Sequence, residues 1–153
     1  MCTRHSCRYI YSALIIYTYP SIFSESEYKI NTKVIAVDFT EGVHIYDTIM
    51  KELEGLEVGT LINNVGMAYP YPEYFLDMPN GDKLCQDMIF CNIMSVTMMI
   101  RKVMPQMVER KRGVVVNIAS VSAVAPTPLM SLYGASKVCN ILRHPQNLVC
   151  PFG

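Results

Sequence analysis

An α/β fold built on a parallel sheet is what this chain of 153 residues predicts. Short β-branched runs alternate with segments of helical periodicity, which is the pattern of strands joined by crossover helices. Each run also ends in a polar residue, as strands do when a ligand sits beyond their carboxyl ends. Residues 34–37, Val34-Ile35-Ala36-Val37, form the first run and stop at Asp38, which fits a buried parallel strand. A helix follows over 42–54, where Val43, Ile45, Tyr46, Ile49, Met50 and Leu53 recur at helical spacing and Gly55 marks the stop. Val58-Gly59-Thr60-Leu61-Ile62 is the second strand, and it runs into Asn63-Asn64-Val65-Gly66. A loop rich in Pro and Tyr, 69–79, leads to a long apolar helix over 83–103, which Pro105 is expected to break or kink. Gly113 opens a third strand over 114–118, with Ala119 and Ser120 at its end. A last helix carries Tyr133 and Lys137 and is expected to stop at Arg143-His144-Pro145.

Composition narrows the classes. An apolar fraction of 51% is ample for a core and argues against disorder. Thirteen basic residues balance thirteen acidic ones, and the Arg110-Lys111-Arg112 run is too short a patch to make nucleic acid a partner. The six cysteines show no C-x-x-C pair, and His5, His44 and His144 form no ligand-spaced cluster with them. No metal site is expected, and a reduced intracellular setting is the simpler reading. Residues 1–32 read as an atypical leader. Arg4 and Arg8 precede an apolar run over 9–19 that Pro20 closes, which is similar to a targeting or anchoring segment. The run is shorter than the ~20 residues a spanning helix needs. A packed element is the third reading.

If the strands are parallel, Asp38, Asn64 and Ser120 line one edge of a single crevice. Each has a bland alternative. Asp38 could cap a helix, Ser120 could be a satisfied loop hydroxyl, and Asn63 and Asn64 could turn the chain with Gly66 at positive φ. Asn92 lies in the apolar helix with Met88 and Val96 one turn away on its own face, so its amide must find partners or cost about 1–3 kcal/mol. Met88, Met94, Met98, Met99, Met104 and Met107 read as core or interface filling. Tyr133 and Lys137, spaced i, i+4, share one helix face. An ammonium beside a phenol favours the phenolate, which suits the pair, with Ser120 thirteen residues upstream, to carbonyl reduction.

Taken together, Asn63-Asn64-Val65-Gly66, Asn92, Ser120 and Tyr133-Gly134-Ala135-Ser136-Lys137 resemble the short-chain dehydrogenase/reductase family. Leu56-Glu57-Val58-Gly59, the block ending in Met67, Pro72-Glu73-Tyr74-Phe75-Leu76 and Met107-Val108-Glu109-Arg110 resemble its 17β-hydroxysteroid dehydrogenase type 12 and type 3 branch. That branch includes the very-long-chain 3-oxoacyl-CoA reductases. The similarity covers residues 33–138. It implies an incomplete Rossmann-like, doubly wound parallel sheet with central strands and helices only. The organisation implied is an unmatched leader over 1–32, a partial reductase domain over 33–142 and an irregular tail over 143–153.

The resemblance also implies roles. Tyr133 protonates the carbonyl oxygen and contacts the cofactor together with Lys137, which lowers its pKa and holds the nicotinamide ribose hydroxyls, and Ser120 steadies the substrate oxygen. Asn92 holds a water that relays protons to Lys137. Asp38, Phe39, Asn64, Val65 and Gly66 border the adenosine half of NADP, with NAD the alternative. The substrate implied is a lipid ketone, a very-long-chain 3-oxoacyl-CoA or a 17-ketosteroid. The implied setting is the endoplasmic reticulum with membrane association, or else the cytoplasm, and the implied assembly is a homo-oligomer or a complex with a full-length relative. Two features depart from the family pattern. No T-G-x-x-x-G-x-G turn precedes Lys33, glycine being absent from residues 1–41, and the pattern that follows Lys137 in the family is not matched. The alternative reading is therefore a catalytically inactive truncated isoform or gene fragment that acts as a dimerisation or interaction module through its Met-rich helix.

Overall fold

The computed structural model describes residues 33–141. The first helix, α1 (Ile45–Glu52), buries Ile45, Tyr46 and Ile49. It starts three residues later than the periodicity predicts, because the chain first turns through Gly42 at φ +102°. Gly55 follows the helix at φ +76°, a conformation that favours glycine over any residue with a Cβ.

Two strands follow, β1 (Thr60–Asn63) and β2 (Val114–Asn117), and they pair in parallel with Thr60 opposite Val114 and Asn63 opposite Asn117. Both lie where their β-branched runs predict them. Between them the chain forms α2 (Gly81–Ile89), a π-helical turn (Phe90–Met94) and α3 (Ser95–Glu109). Arg110, just past α3, donates from Nη2 to the Val58 carbonyl at 2.8 Å, and Gln106 Oε1 accepts from the Val58 amide at 3.0 Å. These bonds fix the start of β1 to the end of the helix, and the chain re-enters the sheet directly afterwards. A 3-10 turn (Val121–Ala123) and α4 (Ser131–Ile141) complete the described fold.

Three expectations change. Residues 34–37 do not join the sheet, which among the described residues consists of β1 and β2. Their alternation survives as burial, with Val34 72% exposed and Ile35 6%. A β-branched run supplies side chains for a strand, but strand formation also depends on which segment lies alongside, and neither β1 nor β2 pairs with this run. Pro105 does not break the helix, for α3 runs through it to Glu109. Val103 and Met107 on either side are buried at 0% and 3%, and the Gln106 and Arg110 bonds to β1 hold the turn beyond the proline. This packing outweighs the missing N–H. A π-helical irregularity falls at Phe90–Met94, where no sequence rule marks it. The expected leader, the tail and the stop at Arg143-His144-Pro145 lie outside the described residues.

The core lies between the sheet and α1 and α3. Ile49, Leu61, Met99, Val103 and Met107 are buried there, and the Phe39 and Tyr46 rings meet at 6.2 Å. A second cluster of Tyr69, Met78 and Met88 sits between the 69–79 loop and α2 and α4. Met88, Met99 and Met107 thus fill core, as their spacing suggests. The opposite sheet face leaves Ile62, Val114, Val116 and Ile118 exposed.

Candidate active site

Parallel pairing brings the carboxyl ends of β1 and β2 side by side, and the candidate residues gather just beyond them. Asn63, 6% exposed, donates from Nδ2 to Asn117 Oδ1 at 2.8 Å. That pair is a register pin, since a one-residue slip would separate the amides. Asn64 next to it is exposed, Val65 packs partly against the core, and Gly66 is half-buried.

Asn92 knots the site together. The π-helical turn presents its fully buried amide to two other segments. Its Oδ1 accepts from the Met67 amide at 2.7 Å, and its Nδ2 donates to the Met67 carbonyl at 2.9 Å and to Ser136 Oγ at 2.8 Å. Ser136 Oγ in turn donates to the Tyr133 carbonyl at 2.8 Å. Both amide hydrogens therefore go to protein, and what Asn92 retains for a water is the second lone pair of Oδ1.

Lys137 is 4% exposed, and burial lowers its pKa from the usual 10.5, with Cys91 opposing this. Among the described residues none accepts a hydrogen bond from its Nζ. A Cβ on Gly66 would stand 2.6 Å from that Nζ and 3.4 Å from Asn92 Oδ1. Gly66 does not take the positive φ that its turn setting suggests. It is needed because the ammonium lies against its backbone. Gly66→Ala is therefore expected to displace the Lys137 ammonium and not to unfold the chain, because the flexible lysine stem can move. The predicted outcome is a thermal stability changed by about 1 kcal/mol or less, measured by melting.

Gly134 positions the neighbouring groups. A Cβ there would be 2.7 Å from the Ser122 carbonyl oxygen, so the glycine lets α4 lie directly on the 3-10 turn. Ser120 caps that turn, its Oγ accepting from the Ser122 amide at 3.2 Å, and is thereby held beside the first turn of α4. Asn140 Nδ2 donates to the Ile118 carbonyl at 3.1 Å and ties the far end of α4 to the chain leaving β2. Tyr133, half-buried, packs on the second core cluster. The first turn of α4 has a cap that the sequence does not single out. Tyr69 Oη accepts from the Leu132 amide at 2.9 Å and the Tyr133 amide at 3.3 Å.

Asp38 belongs to a turn and not to a strand end. Its Oδ1 accepts from the Thr40 amide at 2.9 Å and hydroxyl at 2.7 Å. It lines a cleft of about 370 Å³ with Ala36, Val37, Glu41, His44, Ile45 and Thr48. Phe39 is 3% exposed, its ring in the core against Tyr46, so only its backbone is left to border the crevice. The field of the site shows at Cys91 on the π-helical turn. Burial pushes its thiol up to about 11, Lys137 pulls it down, and Asp38 and Asp87 add to the rise. Asp38 and Lys137 thus act on a common point.

Cys91 gives a pH prediction. Its folded pKa is raised from 9.0 to about 11, so its contribution to stability is full below pH 9 and is lost as the pH rises through 11. Tyr46, its hydroxyl buried with no partner among the described residues and its pKa raised to about 12, acts in the same sense. Lys137, whose pKa is lowered, acts in the opposite sense, its desolvation cost fading towards 10.5. In denaturant titrations, the stability difference between wild type and Cys91→Ala is expected to shrink between pH 9 and 11.

The chain belongs to the short-chain dehydrogenase family, whose pattern matches residues 24–141. Its similarity puts it in the branch that holds the very-long-chain 3-oxoacyl-CoA reductases. The reductase of Anas platyrhynchos is 55% identical over 111 residues, 72% of this chain and 36% of that protein. The Homo sapiens reductase is 50% identical over 113 residues, 74% of this chain and 36% of that protein. The chain thus spans little more than a third of the length of these relatives. Among solved structures, the short-chain dehydrogenase from Sphingobium yanoikuyae in complex with NADPH superposes with a TM-score of 0.64 at 28% identity, covering 76% of this chain and 44% of that one. The bulky-bulky ketone specific alcohol dehydrogenase from Comamonas testosteroni gives 0.66 at 26% identity, covering 76% and 45%.

Proposed function

We propose that this site reduces a ketone, of the very-long-chain 3-oxoacyl-CoA class, with NADPH as the hydride donor. The observation that carries the reading is Lys137, a residue 4% exposed whose ammonium donates to none of the described residues and lies against the bare backbone of Gly66. Its ammonium hydrogens are thus not committed to any described residue, and vicinal sugar hydroxyls would accept them. The residues present therefore fit the nicotinamide-ribose half of the cofactor. Lys137 would hold the ribose hydroxyls, with Asp38, Asn64, Val65 and Gly66 bordering the adenosine half. When bound, the cofactor supplies the hydride. The chain supplies the rest. Tyr133 Oη gives a proton to the ketone oxygen as negative charge develops there, Ser120 Oγ holds that oxygen, and the Lys137 ammonium stabilises the phenolate left behind. Asn92 keeps Met67, Ser136 and Tyr133 in fixed relation.

The test is incubation of the 153-residue chain with NADPH and a long-chain 3-oxoacyl-CoA, with a 17-ketosteroid in a parallel arm. Formation of 3-hydroxyacyl-CoA, seen by mass spectrometry and lost in Tyr133→Phe, supports the reading. A folded chain that forms no product in either arm overturns it. The second reading, an interaction module without catalysis, is favoured by the exposed sheet face. Ile62, Val114, Val116 and Ile118 are 37%, 39%, 37% and 40% exposed, whereas both faces of a parallel sheet are ordinarily covered. Sedimentation of the inactive chain as a dimer would carry that reading.

A further inference from the structure

Tyr133 is held by its backbone as well as by its ring. Its carbonyl accepts from Ser136 Oγ, which Asn92 fixes, and its amide donates to Tyr69 Oη. The first amides of a helix have no intrahelical acceptor, and a short Ser, Thr, Asp or Asn side chain ordinarily meets them from the N-cap position. Here the acceptor is a phenol that reaches back from a loop more than sixty residues earlier in the chain, bonding Leu132 at 2.9 Å and Tyr133 at 3.3 Å. That loop is anchored. Two residues before Tyr69, the amide and carbonyl of Met67 are both clamped by Asn92 at 2.7 and 2.9 Å. The Tyr69 ring, 8% exposed, is seated in the cluster with Met78 and Met88, against which the Tyr133 ring also packs. Both bonds to the Tyr133 backbone therefore lead back to Asn92, one through Met67 and Tyr69 and the other through Ser136.

We propose that Tyr69 is a positioning residue for ketone reduction, its hydroxyl setting the first turn of α4 so that the Tyr133 phenol meets the substrate oxygen. This rests on the reading of Tyr133 as the proton donor. A cap of this kind differs from an ordinary one in what it fixes. An N-cap side chain adjusts with its own helix, whereas Tyr69 ties the helix start to the loop after β1, on which Gly66 lies. Loss of the bond would loosen the phenol relative to that loop and leave Lys137, one turn further along and beside Ser136, in place.

The test is Tyr69→Phe in the full chain, which keeps the ring and removes the acceptor. Hydrogen exchange at the Leu132 and Tyr133 amides is expected to quicken about tenfold, as loss of one net hydrogen bond implies. In the reductase assay, kcat is expected to fall about tenfold while KM and NADPH affinity stay within about twofold, the signature of an interaction made in the transition state. Unchanged exchange at both amides would overturn the inference, because the bond would not be holding the turn. Faster exchange with unchanged kcat would also overturn it and reduce Tyr69 to a structural cap. A wild-type chain that reduces no ketone fails differently: it removes the reading of Tyr133, and the positioning role with it, whatever Tyr69→Phe does.

Discussion

Tyr133→Phe is expected to lower ketone reduction by about 10²–10⁴-fold, the range that a positioned general acid supplies. The substitution removes one oxygen. The ring keeps its place on the second core cluster, and the backbone bonds to Ser136 and Tyr69 remain, so the fold should be unaffected. NADPH affinity should change little, because Lys137 and the Gly66 surface are untouched. The loss should thus appear in kcat, measured by product formation at saturating cofactor. A variant that keeps more than about a tenth of wild-type kcat would remove Tyr133 from the role of acid.

The second large effect is on stability. Asn92→Ala removes three hydrogen bonds and leaves the Met67 amide and carbonyl and the Ser136 hydroxyl facing a cavity. The Met67 amide and carbonyl, left unpaired, cost about 1–3 kcal/mol each, and the Ser136 hydroxyl, which keeps its bond to Tyr133, loses about 1 kcal/mol, so a total of about 3–7 kcal/mol is expected. Asn92→Leu fills the volume without restoring a partner and should recover little of this. Asn92→Asp keeps the acceptor for the Met67 amide but loses both donors, and should fall between. Urea titration of the four proteins gives the ranking. A loss in Asn92→Ala below about 1 kcal/mol would mean that the knot does not hold the site.

Much of this site is legible in the sequence, and what is not has identifiable causes. The β-branched runs at Val58–Ile62 and Val114–Ile118 mark their strands because central parallel strands are built from such residues. The spacing of Tyr133 and Lys137 marks their helix face, since periodicity is local. Residues 34–37 carry the same composition as the other runs, yet pairing depends on a neighbour that composition does not name. At Pro105 the missing amide is visible in sequence, while the packing of Val103 and Met107 that outweighs it is not. Gly66 is legible as necessary but for a different reason from the one found, because close approach of a lysine from a later helix leaves no local mark. Asn92 stands out as a polar residue that must find partners, although only the fold shows that they are Met67 and Ser136. Tyr69 is one tyrosine among several in its loop, and nothing nearby distinguishes its hydroxyl as the cap of a distant helix.

Titration of NADPH into the full chain, with Lys137→Met alongside, tests the central claim most directly. The Lys137 ammonium against Gly66 is read as one wall of a dinucleotide site. Micromolar binding by wild type, weakened about tenfold or more in Lys137→Met while that variant stays folded, is the predicted result. Equal binding by both proteins, or none by a folded wild type, would contradict it.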